Sequence, residues 1–110
     1  MSEDVELEVH AGACRFKTLV IGTLQEDGTV KLKIKSECPM VREMASCMPD
    51  FDPMDAVSVR VHENPVIIHA GEHLSHPSCP IPVAILKVLE SCSGMALKKD
   101  VTMNYCSSSR

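Results

Sequence analysis

A chain of 110 residues with 45% hydrophobic content is long enough for one domain with a modest core. Acidic residues outnumber lysine and arginine 15 to 11, the formal charge is −4, and there is no tryptophan, one tyrosine and two phenylalanines. That excludes a basic, aromatic-lined nucleic-acid surface and a general attraction to anionic membranes, and no apolar run approaches the about eighteen residues of a membrane span.

The N-terminal "MSEDVELEVH" is acidic and lacks the basic and apolar regions of a signal peptide. The expected location is therefore the cytoplasm, where six cysteines are reduced, metal-bound or redox-active rather than paired. Val5, Leu7 and Val9 alternate with Glu6, Glu8 and His10, the signature of a half-buried strand. After the bend "HAGAC", the run "RFKTLVIGTL" reads as a second strand. Asp27-Gly28 in "QEDGTV" marks a hairpin, since glycine accepts the positive φ such turns require. Val30, Leu32 and Ile34 then alternate with Lys31, Lys33 and Lys35 as a third strand.

The period changes after Ser36. Val41, Met44, Ala45 and Met48 recur at three- and four-residue spacing, predicting a helix from Pro39 to about Met48, with proline at the first position, where its missing N–H costs nothing. Asp52-Pro53 and Asn64-Pro65 repeat the device with good capping residues, so a short helix follows Pro53, and Pro65 to Leu74 reads as helix or strand, with the Asn-Pro start favouring helix. The longest helix covers Pro80 to about Ser93, with Ile81, Ile85, Val88, Leu89 and Cys92 on its apolar face and Gly94 as its stop. "DVTMNYC" alternates again and predicts a returning C-terminal strand, with residues 107–110 a frayed tail. The expected fold is a single α+β domain over residues 1–110, an antiparallel sheet packed against several helices.

Cysteine spacing narrows the chemistry. Cys38 and Cys47 would lie about 13 Å apart along one helix, and Cys79 and Cys92 about 19 Å, so neither pair can share one ion. Cys92 and Cys47 read as small core residues, Met40, Met44 and Met48 as core filler, and Cys106 stays undecided. Cys38 and Cys79 each stand before a helix-opening proline at the expected N-cap, where unpaired N–H groups favour a thiolate. Cys14 sits in the bend that Gly12 permits, and His76 forms H-x-x-C with Cys79. Cys14, Cys38, Cys79 and His76 would make a three-sulfur, one-nitrogen site suited to zinc or an iron–sulfur cluster. His69 and His73 share a helix face at i, i+4 with His76 close behind, a pattern that chelates zinc, nickel or copper but more commonly marks a surface histidine cluster. Walker, dinucleotide-binding, nucleophile-elbow and H-E-x-x-H motifs are absent.

The blocks "HAGACRFKT", "SECP", "HPSCPIPVAILKVLE" and "GMALKKDV" resemble the signature of a small family of uncharacterised prokaryotic cysteine-containing proteins with no established activity. The matching positions are Gly12, Cys14, Cys38, His76, Cys79, Pro80, Pro82, Lys87 and Glu90. The resemblance favours Cys14, Cys38, Cys79 and His76 over the other sulfurs and imidazoles. The expected function is thus a metal- or iron–sulfur-binding protein, with a site that a homodimer is able to complete. The alternatives are a thiol redox protein using Cys38 and Cys79, and a non-catalytic interaction module.

Overall fold

The computed structural model describes residues 4–107. Its three alternating runs become strands β1 (Val5–His10), β2 (Lys17–Leu24) and β3 (Val30–Ser36), which form one antiparallel meander in the order β1-β2-β3. Val5 faces Gly22 and His10 faces Lys17 on one side of β2, while Thr18 faces Ser36 and Leu24 faces Val30 on the other. Since successive strand residues point to opposite faces, Val5, Val20 and Val30 are buried while Glu6, Glu8, Lys31, Lys33 and Lys35 are exposed. The Asp27-Gly28 turn forms as the sequence predicts, with Gly28 at φ 90°. Asp27 Oδ1 accepts from the Thr29 hydroxyl at 2.6 Å and from its N–H at 3.0 Å. Those two bonds, the hydroxyl first, hold the Asp27 carboxyl below its ordinary value.

Proline opens three of the helices. They are α1 (Pro39–Ser46), α2 (Pro53–Ser58) and α3 (Pro65–Gly71), followed by α4 (Ile81–Cys92). A single 3-10 turn, Val61–Glu63, precedes α3. The Asp52 and Asn64 side chains cap α2 and α3, accepting the N–H groups of Met54 at 2.9 Å and Val66 at 3.0 Å. Asn64 is 2% exposed, and its amide also donates to the Ala56 and Val59 carbonyls. One buried side chain thereby ties the end of α2 to the start of α3 and satisfies polar groups that would otherwise be stranded. The segment after Pro65 opens as a helix, as its Asn-Pro start implies, but it ends at Gly71 and not at the expected Leu74.

Helix α4 lies across β1 and β2 and buries Ile81, Ala84, Ile85, Val88 and Leu89. Gly22 on the central strand makes that approach possible, because a Cβ there would stand 2.5 Å from Val88 Cγ1. Gly94 (φ 80°) ends the helix. Its N–H donates to the Ser91 carbonyl at 3.2 Å and that of Met95 to Glu90 at 2.8 Å, the paired bonds of a Schellman motif.

The returning strand does not form. Residues 100–106 carry no secondary structure, and Val101, Met103 and Tyr105 are 60%, 86% and 106% exposed. Alternation supplies the right face-to-face period, but a strand exists only when its N–H and C=O groups meet a partner edge. Among the described residues this segment meets none. Of the tail expected to fray, residues 108–110 lie outside those described.

Candidate metal centre

Three separate stretches of chain carry the cysteines and the histidine favoured by the sequence. The β1–β2 bend is built on two left-handed residues, Gly12 at φ 83° and Arg15 at φ 63°, and is closed by Arg15 N–H to the Gly12 carbonyl at 2.8 Å. Cys14 lies between them and is exposed. Cys38 is the N-cap of α1, in extended conformation at φ −83°, ψ 123°, but its thiol makes no capping hydrogen bond. Its N–H instead donates to Ser36 Oγ at 3.1 Å, and Arg42 Nη1 clamps the Ser36 and Glu37 carbonyls at 3.1 Å each. The H-x-x-C stretch is a turn in which Cys79 N–H donates to the His76 carbonyl at 3.1 Å. Pro77 stands second in that turn, where its fixed φ suits it.

Cys14, Cys38, His76 and Cys79 line one cavity of about 210 Å³, walled also by Phe16, Met40, Val41, Leu74 and Ile81. Met40 therefore faces the cavity, at 38% exposure, instead of filling the core as Met44 does. Cys79 needs two corrections. Helix α4 begins at Ile81 with Pro80 in the capping position, so Cys79 sits one residue outside the expected N-cap. Its thiol is also not an activated one. Burial pushes it above its ordinary value, the Ile81 N–H opposes the rise, and charge on Cys38 and Cys14 adds to it. An uncompensated thiolate is disfavoured there because desolvation outweighs one helix-end N–H.

These four side chains share a cavity without closing on a point. Among the described residues, the trio of ligand atoms lying mutually within 4.8 Å is instead Cys47, His69 and His73, a group able to hold a metal ion. Cys47 Sγ is 3.3 Å from His73 Nε2, and His73 Nδ1 is 3.2 Å from Glu43 Oε1. His69 Nε2 is 3.2 Å from the Met44 carbonyl, and the two rings sit 5.1 Å apart, tilted by 56°. Cys47 is exposed, which overturns its expected place in the core. Extending the α1 periodicity puts it on the buried side, but the helix stops at Ser46 and Cys47 becomes its C-cap at φ −123°, ψ 24°. The His69/His73 pair was legible as i, i+4, although α3 stops at Gly71 and His73 lies in the turn beyond it, so the two do not share a helix face as expected. Its third member, 26 residues from His73 in sequence, had no spacing signal to give it away.

The remaining thiols are simpler. All six cysteines are free. Cys92 packs against the core as expected, and burial pushes its thiol above its ordinary value. Cys106 is exposed. Among the described residues no helix is long and apolar enough to cross a membrane.

No curated protein and no solved structure matches this sequence. The profile of one family does, over residues 5–105, which agrees with the resemblance to an uncharacterised family drawn from the four sequence blocks. With nearly its whole length matched, the chain belongs to the family of unknown function DUF6951.

Proposed function

We propose that this protein binds a thiophilic metal centre through Cys14, Cys38 and Cys79, with His76 as fourth ligand or as a donor beside it. The observation that carries this is convergence: three sulfurs and an imidazole from three distant segments line one cavity. An iron–sulfur cluster fits better than a single zinc ion. In a tetrahedral zinc site with sulfur bonds of about 2.3 Å, the ligand atoms stand roughly 3.8 Å apart. No three ligand atoms of this set are within 4.8 Å of one another, whereas a cluster spans a wider gap between its cysteines. The ligand set reaches four within one chain, so a second copy is not required, and free thiols of this number suit a reducing cytoplasm.

Bound metal supplies the positive charge that lets several close thiols ionise together. The raised Cys79 thiol fits that reading and weighs against the thiol-redox alternative, which needs a low-pKa sulfur at this position.

The experiment is anaerobic purification followed by iron, zinc and acid-labile sulfide analysis with an absorption spectrum. Stoichiometric iron and sulfide are expected, lost in Cys14→Ser, Cys38→Ser and Cys79→Ser and retained in Cys92→Ser. Zinc alone, lost in the same variants, would replace the cluster by a single ion. Occupancy that all three substitutions leave untouched would sink the proposed site.

A further inference from the structure

At the other end of α1 stands a group whose chemistry is independent of the cavity. We infer that Cys47, His69 and His73 form a mononuclear site for a borderline divalent ion of the zinc class, with one coordination position open to solvent. One thiolate and two imidazoles do not suit calcium or magnesium, which take oxygen ligands. They suit zinc and its first-row neighbours.

Each imidazole also has one nitrogen held by a hydrogen bond. His73 Nδ1 faces the Glu43 carboxylate at 3.2 Å and so carries the proton, leaving the Nε2 lone pair directed at Cys47 Sγ, 3.3 Å away. His69 Nε2 faces the Met44 carbonyl at 3.2 Å. A carbonyl only accepts, so Nε2 carries the proton and Nδ1 the lone pair. Hydrogen bonds of this kind fix the tautomer of a metal-binding histidine and raise its basicity.

The sulfur–nitrogen spacing also needs little change, since a tetrahedral zinc site holds those atoms roughly 3.5 Å apart. On binding, the Cys47 S–H bond breaks, its proton leaves to solvent, and a sulfur–metal bond forms with no change of oxidation state. His69 and His73 are half-buried and Cys47 is exposed. Three ligands thus stand on the protein side, and the fourth position takes water or a small anion, the arrangement of three-ligand zinc sites.

The test is a Co²⁺ titration of the reduced, metal-free full chain, read by its visible bands and the sulfur-to-cobalt absorption in the near ultraviolet, with Zn²⁺ displacing the cobalt. Cys47→Ser should remove one equivalent and its near-ultraviolet band. His69→Gln and His73→Gln should each weaken that equivalent at least about tenfold, and Glu43→Gln, which alters only a positioning residue, about 10- to 100-fold with the bands unmoved. Cys14→Ser should leave this ion bound. Cobalt binding that Cys47→Ser does not change, or none in the unmodified chain, overturns the inference. Loss in Cys14→Ser alone overturns it while supporting the cavity site; loss in Cys47→Ser alone supports it and shows that the cavity holds no single ion. The unmodified protein gives a second readout in ¹⁵N spectra of its imidazoles: zinc should shift His73 Nε2 and leave Nδ1 protonated. Histidine resonances unmoved at saturating zinc would also overturn it.

Discussion

At the scale of the residue, the two ends of α1 show how far one side chain can be read from sequence. Cys38 was recognisable because a proline follows it and a helix follows the proline. Cys47 was not, because its exposure depends on where α1 stops, and helix ends are set by tertiary contacts as much as by local preference. Cys92 was legible from its place on the apolar face of α4, and its protonation carries a consequence for stability. Burial raises its folded-state value above the ordinary 9.0, so folding favours the neutral thiol. That contribution is fully present below the unfolded value and is lost as pH rises through the folded one. Cys92→Ala, melted under reducing conditions, should therefore cost about 1 kcal/mol at pH 7 through lost packing. Its deficit against the parent chain should shrink above about pH 9, where the parent loses its advantage. A deficit that widened with pH would show that folding stabilises the thiolate instead.

At the scale of the element, the meeting of α4 with the sheet rests on the absence of a side chain. A glycine inside a strand weakens it, and the helix packed over Gly22 explains why it is there. A methyl at that position meets Val88 Cγ1, which belongs to a β-branched residue 1% exposed and confined to one rotamer in a helix. Gly22→Ala should thus destabilise the fold by about 1–3 kcal/mol in urea unfolding. Pairing it with Val88→Ala should recover part of the loss, and a double variant at or below the sum of its parts would place the clash elsewhere. The strands themselves and the proline-led helices were legible because their signals are local: alternation, Asp27-Gly28, Asn64-Pro65. "DVTMNYC" was misread for the same reason. Its alternation is a property of the segment, whereas pairing is a property of an edge somewhere else.

At the scale of the whole molecule, the chain measures 52 × 28 × 25 Å with a radius of gyration of 14.3 Å, against about 13 Å for a compact domain of this size. The exposed C-terminal stretch contributes no residue to the core. Ending the chain after Asp100 should change unfolding free energy by no more than about 0.5 kcal/mol; a loss of several kcal/mol would mean that Val101–Tyr105 packs after all. The core is shared instead by the sheet and helices α1–α4, with α4 across β1 and β2 and α1 laid beside β3. Helix α1 holds Cys38 at its start and Cys47 just past its end, and its eight residues span about 12 Å. The chain from His73 to His76 runs between the same two places. A strut of that length keeps the two ligand groups from pooling one ion, so the heat of zinc binding at Cys47 should be the same whether or not the cavity is loaded. It also ties α1 to both groups through Cys38 and Cys47, and its amides should exchange with deuterium more slowly once either group is filled.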